Sequence, residues 1–226
     1  FSRRKQLTTN FRNNFTKEYY DSLINAKGKA GGKYITKEIK KWSVSYKDAD
    51  VIICYRNKIR EYYNMLKCQH LNIPFKLDIY KRDHGYLTDC KISFNLKKLK
   101  VGTKIISNTN ELAKSCDIYN KFTFTIKEVD GKDIVITDGK KDYTIEKKLL
   151  NKVVDNKPLF SFAYARTLYS VQGASLDSIH YPEEDYFFLD GRSAYTAISR
   201  IKQKDNNTPF IKKNIKKKKT IKDYYK

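Results

Sequence analysis

"ADVIICYRNKIREYYNMLKC" (Ala49–Cys68) decides how the rest of the chain is read. Val51–Cys54 is apolar without interruption, the pattern of a strand covered on both faces, as in a parallel sheet. Directly behind it, Ile59, Tyr62, Tyr63 and Leu66 recur at helical spacing, which predicts an amphipathic helix. A strand that feeds straight into such a helix is a βα unit, and βα units build open parallel α/β sheets.

Upstream, Phe15, Tyr19 and Leu23 predict another helix, with Gly28 available to end it,. "GKAGGKYIT" (Gly28–Thr36) invites comparison with a P-loop, which needs four residues before its Gly-Lys and a hydroxyl residue after it. Three residues separate Gly28 from Gly32, Tyr34 replaces the hydroxyl residue, and no apolar strand precedes. The stretch therefore reads as a flexible basic turn and not as a Walker A motif.

Downstream the period changes. Phe122, Phe124 and Ile126 alternate with Lys121, Thr123, Thr125 and Lys127; Ile134 and Ile136 alternate again, and Tyr143 and Ile145 finish the series. Asp130-Gly131 and Asp138-Gly139 separate these runs, and Asp-Gly between alternating runs is a strong hairpin signal. A small antiparallel β unit is thus expected near residues 100–150. The α/β character returns with "LFSFAYA" (Leu159–Ala165) and "DYFFLD" (Asp185–Asp190), and "GRSAYTAISRIKQ" predicts a helix from Gly191. The end, "IKKNIKKKKTIKDYYK", is a basic tail,.

The chain has 226 residues, 40% of them hydrophobic and 14% aromatic, so it can bury a core,. Its 47 Lys+Arg exceed 25 Asp+Glu, a formal charge of +22. Such a field favours polyanions, nucleic acid first among them. Abundant Lys, Asn, Ile and Tyr also fit an AT-rich genome. The four cysteines (Cys54, Cys68, Cys90, Cys116) form no Cys-x-x-Cys pair, which argues against zinc and against a disulfide framework. No apolar run approaches the ~20 residues that span a bilayer. An intracellular protein is expected, in the nucleus or cytoplasm, or at a replication site if viral. Phe1 stands where an initiator Met would, so the chain is read as one part of a longer protein.

Familiar catalytic patterns are not readable. His70, His84 and His180 pair with no Cys or carboxylate at ligand spacing, and no metal site is expected. "PEED" (Pro182–Asp185) reads as an exposed acidic loop. What remains is Arg12 near the start, Arg200 near the last helix, and "TLYSVQGAS" (Thr167–Ser175) after the apolar run. Alone, that loop caps a helix, holds a phosphate or meets a nucleic-acid strand.

Taken in order, five segments resemble the second RecA-like domain of superfamily 1 helicases, nearest the Pif1/RecD-like branch and its relatives in large DNA viruses. "LTTNFR" (7–12) resembles motif IV, "VIICYRNKIREYYN" (51–64) the strand–Asn–helix segment with Asn57 and Asn64 in place, and "LKVGTKIISNTN" (99–110) the entry into an SH3-like β insertion. "FAYARTLYSVQGASLD" (162–177) resembles motif V, and "DGRSAYTAISR" (190–200) motif VI.

The resemblance implies a RecA-like parallel sheet flanked by helices, with a small antiparallel SH3-like β insertion. It implies residues 1–98 and 153–206 as the two parts of that domain, 99–152 as the insertion, and 207–226 as the tail. ATP and Mg2+ would be held mainly by an N-terminal RecA-like domain of the same protein, while Arg12 and Arg200 meet charge on the transferred phosphoryl. Gly173 and Gln172 would lie at the ATP cleft. Asn57, Thr167, Tyr169, Ser170, Gln172 and Ser175 would contact single-stranded nucleic acid, DNA in preference to RNA, through contacts that ignore sequence. Without Walker A or B, the chain by itself is not expected to hydrolyse ATP.

Motif V departs from the family, which usually has His-Lys-Ser where this chain has Tyr169, Ser170 and Val171. The change removes one cation and one hydroxyl and adds a ring able to stack on a base. Asn120-Lys121 replaces the usual Asn-Gly before the insertion. Two other classes accommodate the composition: a basic nucleic-acid-binding module without an ATP cycle, and a packaging protein of an AT-rich virus. Neither calls for paired arginines directed at a γ-phosphate.

Overall fold

The computed structural model describes residues 17–83 and 86–202. In chain order it begins with α1 (Lys17–Ile24), α2 (Gly28–Trp42), β1 (Val51–Cys54) and α3 (Asn57–His70), then β2 (Phe75–Asp83) and β3 (Tyr86–Phe94). There follow β4 (Lys104–Ser107), α4 (Ala113–Cys116), β5 (Thr123–Asp130), β6 (Asp133–Thr137) and β7 (Asp142–Glu146). The chain continues through β8 (Val153–Val154), β9 (Lys157–Pro158), β10 (Phe160–Phe162), β11 (Ala165–Thr167), β12 (Ile179–His180) and α5 (Gly191–Ile198). Two compact units result: residues 17–55 with 167–202, and Arg56–Arg166.

The first unit is built on β1. All four of its residues are buried, as an uninterrupted apolar run requires,. It pairs in parallel with β12, Val51 opposite Ile179 and Ile52 opposite His180, in a sheet ordered β11–β1–β12. Helices α1, α2 and α5 supply Leu23, Ile35, Ile39, Ala194, Ala197 and Ile198 to the core around it. Asp190 caps α5, its Oδ1 accepting from the Ser193 N–H at 2.7 Å,. Asp185, read as part of an exposed loop, is fully buried and accepts the Tyr55 N–H at 2.6 Å, which closes the end of β1. The segment expected from "DYFFLD" to belong to the α/β frame is a 3-10 turn over Glu183–Phe188.

Residues Gly28–Trp42 form a helix, not the expected basic turn. Tyr34, Ile35 and Ile39 place one apolar face in the core, and that burial outweighs three glycines of poor helix propensity,. Gly31 is required by contact: a Cβ there would stand 2.6 Å from the backbone carbon of Ala26.

In the second unit, β4 to β7 and β10 form an antiparallel sheet ordered β10–β4–β5–β6–β7. The two Asp-Gly turns connect β5 to β6 and β6 to β7, as their sequence predicts. Ile126, Ile134, Ile136 and Ile145 are buried on one face, each contributing roughly 1.5–3 kcal/mol by leaving water. "LFSFAYA" is divided: Phe160–Phe162 joins this sheet as β10, and Ala165 opens β11. A two-stranded ribbon, β2–β3, which sequence reading left unassigned, pairs Phe75 with Phe94 and Leu77 with Ile92 at its base. Asn151 holds that base, exchanging both hydrogen bonds of its amide with the Phe94 backbone at 2.9 and 2.8 Å. The four cysteines are thiols, outside any disulfide, and no helix among the described residues is long and apolar enough to cross a membrane.

Candidate functional site

Six of the expected residues fall on one loop. After β11 the chain turns through a 3-10 helix, Leu168–Val171, because Leu168 and Val171 are pulled into the core while Tyr169 is left 68% exposed. Ser170 donates its hydroxyl to the Thr167 carbonyl at 2.8 Å, which tightens this turn. Gln172 is exposed and leads into Gly173 at φ +85°. A Cβ at Gly173 would meet nothing within 4 Å. Backbone conformation, and not crowding, therefore calls for glycine here. The same open space admits a close approach to the main chain. Ser175 is exposed beyond it.

The loop is tied to the last predicted residue, Arg200. Leu176 donates its N–H to the Arg200 carbonyl at 2.8 Å and accepts from the Lys202 N–H at 2.7 Å. Motifs separated by more than twenty residues are thus joined by backbone bonds inside one unit. The Arg200 guanidinium is half-buried, and its Nε and Nη2 donate to the Ser199 hydroxyl at 3.2 and 3.0 Å. Ser199, nearly fully buried, donates its own hydroxyl hydrogen bond to the Thr196 carbonyl at 3.1 Å. A buried hydroxyl therefore sets the direction of the arginine, a role that sequence reading did not give it. Its only signal was its place before Arg200.

At the other end of α5, the N-terminal one, electrostatics follow the cap. Burial raises the Asp190 carboxyl, but hydrogen bonds from Ser193 offset it, and the group lies below the usual carboxylate range. A negative cap opposite the helix N-terminus is favourable by the macrodipole.

The remaining residues separate. Arg12 lies outside the described residues. Asn57 opens α3 in the second unit and is exposed. Its companion Asn64 is 1% exposed and turns its amide on the backbone of β11. Nδ2 donates to the Ala165 carbonyl at 3.0 Å, and Oδ1 accepts the Ala165 N–H at 2.8 Å. One asparagine thereby pairs like a short strand with the segment that precedes the loop. The motif match marked its position; the bond spans 101 residues and no local pattern reveals it. No group of three or more His, Cys, Asp or Glu among the described residues could hold a metal ion.

No family model and no curated protein sequence matches the chain. Solved structures do. Bacteroides Pif1 bound to single-stranded DNA is similar, with a TM-score of 0.51 and 16% identity over 84% of this chain and 47% of that one. A structure of two coordinating Pif1 helicases unwinding forked duplex DNA gives 0.50 and 15%, covering 84% and 46%. Pif1 from Candida albicans gives 0.50 and 11%, covering 84% and 52%. The chain spans about half the length of these proteins. Its mixed α/β architecture, with parallel sheet and flanking helices, is the fold found in the RecA-like part of Pif1 helicases.

Proposed function

We propose that this chain is the second RecA-like motor domain of an ATP-dependent helicase that moves on single-stranded nucleic acid, DNA in preference to RNA, inside the cell. The observation that carries the reading is the pair of backbone bonds by which Leu176, next after the Thr167–Ser175 loop, is held to Arg200 and Lys202. They make one body of a candidate strand contact and a candidate phosphate contact. The Pif1 fold, seen elsewhere in a protein bound to single-stranded DNA, supports it.

The residues suit a nucleotide approached from one side. Arg200 offers a permanently charged, forked donor, two nitrogens of which reach the Ser199 hydroxyl, and a guanidinium of this kind suits an anionic phosphate. Gly173 leaves the loop backbone open to approach. Arg12 completes the pair of arginines. Neither a P-loop nor an acidic Walker B strand is present in this sequence, so the Mg2+ ligands and most of the triphosphate cradle belong to a preceding domain. ATP, when bound, supplies phosphoryl-transfer free energy. This chain's part is to stabilise charge and to transmit loop position to the strand through Thr167, Tyr169, Gln172 and Ser175.

The test uses the 226-residue chain. It binds single-stranded oligonucleotide with a steep salt dependence and shows no metal-dependent ATP turnover. Robust metal-dependent hydrolysis by this chain alone overturns the reading.

A further inference from the structure

Two exposed aromatic pairs stand out, and their surroundings differ. Tyr55 and Phe188 stack at 5.3 Å and 7°, with Phe187 91% exposed beside them. Glu183, Glu184 and Asp185 share their turn, so a polyanion is repelled there. The other pair, Tyr119 and Phe122, is 44% and 43% exposed, with ring centroids 5.5 Å apart and tilted by 55°.

This second pair sits on a turn with little freedom. Phe122 N–H donates to the Tyr119 carbonyl at 3.2 Å, and Lys121 N–H to the Ser107 carbonyl at 2.7 Å. Ser107 N–H returns a bond to the Phe122 carbonyl at 3.0 Å. Asn120 N–H donates to Asn110 Oδ1 at 2.8 Å. Behind the rings, Phe122 leans on buried Phe124 at 6.4 Å, and Phe124 meets Tyr143 edge-on at 5.3 Å. A preorganised exposed ring loses little entropy on binding.

Two lysines lie close to the pair in sequence. Lys114 and Lys121 are exposed and form no ion pair among the described residues. The nearest acid in sequence, Asp117, is already engaged by Lys141 at 3.3 Å. The unit that carries the turn, residues 56–166, holds 23 Lys and Arg against 13 Asp and Glu. Exposed rings on a rigid turn, flanked by unpaired lysines, match an unstacked base followed by its phosphates. A duplex, whose base faces are already stacked, cannot use the rings this way.

We propose that Tyr119 and Phe122 are a stacking platform for an unpaired base, with Lys114 and Lys121 on the adjoining phosphates. It is a contact to single-stranded nucleic acid additional to the Thr167–Ser175 loop. The inference rests on the nucleic-acid part of the proposed function and not on its ATP cycle.

The experiment measures binding of the 226-residue chain to labelled dT12 and to a 12-mer of the same backbone made wholly abasic. The unsubstituted chain prefers dT12. The double variant Tyr119→Ala, Phe122→Ala raises the Kd for dT12 by roughly 5- to 100-fold. Its abasic binding and its slope of log Kd against log salt stay unchanged. Tyr119→Phe keeps the preference, and Lys121→Gln makes the salt slope shallower. Should the double variant fold poorly, the single change Tyr119→Leu, apolar but not aromatic, gives the same reading. Equal dT12 affinity in variant and unsubstituted chain overturns the platform alone, as does equal loss for dT12 and the abasic strand, which a protein-docking or purely electrostatic surface would give. If the unsubstituted chain binds neither strand, the nucleic-acid reading of the whole chain falls, and the platform with it.

Discussion

The described residues of the two units differ in charge. Between 17 and 55 and between 167 and 202 there are 11 basic and 10 acidic residues, a net of +1; between 56 and 166 there are 23 and 13, a net of +10. The remaining excess lies in residues 1–16 and 203–226. Yet the nearly neutral described part of the first unit holds the Thr167–Ser175 loop and Arg200, and the strongly basic second unit holds Tyr119 and Phe122. Among the described residues, the excess of positive charge and the candidate phosphate-directed arginine therefore lie in different units. Coulomb attraction needs only many solvated lysines, whereas an arginine directed at one phosphate needs its donors held in place beforehand.

That division can be broken by substitution. The largest effect is expected at Arg200. In the intact protein with its P-loop domain, Arg200→Ala lowers ATP turnover roughly 10³-fold and leaves single-strand affinity within about twofold. A steady-state ATPase assay beside a binding titration checks this, and equal losses in both would erase the distinction between the units. Next comes Asn64→Ala, which leaves two Ala165 backbone groups without their amide partner. A loss of about 2–4 kcal/mol in urea unfolding is expected, and a loss near zero would show that β11 holds its place without the clamp.

A smaller change follows from the basic unit. Lys91, Lys97 and Lys98 are exposed there. Replacing all three by Gln makes the salt slope of single-strand binding shallower by about 2, while saturated ATP turnover is unchanged. A drop in turnover instead would place catalytic work in the basic unit. The smallest effect concerns pH. Burial holds the His180 imidazole below its usual value, against the opposing bond to the Val44 carbonyl. The unfolded imidazole takes a proton below about pH 6.5 that the folded one resists. This contribution is complete above that pH and is lost as pH falls through the window beneath it. His180→Gln flattens that acid limb of the stability profile, and an unchanged limb assigns it to other groups.

How much of this was legible depended on whether partners are local. Val51–Cys54 declared a doubly covered strand, and the Asp-Gly turns declared their hairpins, because both signals are complete within a few residues. Helix α2 was hidden because glycine reports backbone freedom in isolation, while Gly31 is there for its contact with Ala26. The β2–β3 ribbon had a local signal that was passed over: Phe75, Leu77 and Ile79 alternate with Lys76 and Asp78, and only the polar run from Tyr80 to Asp83 departs from that pattern,. Asp185 read as a surface acid until the Tyr55 N–H supplied a buried partner. At the candidate site, the motif series marked the loop and Arg200. Ser199 and Asn64 act through a side-chain relay and through backbone atoms 101 residues away, relations that no spacing rule contains.

The central claim is that the Thr167–Ser175 loop couples a nucleotide cleft to a strand, and Gln172 is the exposed residue at which coupling can be cut without disturbing the core. The direct measurement is ATP turnover of the intact protein with and without saturating single-stranded DNA, comparing Gln172→Ala with the unsubstituted protein. The account predicts that basal turnover and strand affinity stay within a few-fold while stimulation by DNA disappears. Full stimulation in the variant would contradict it.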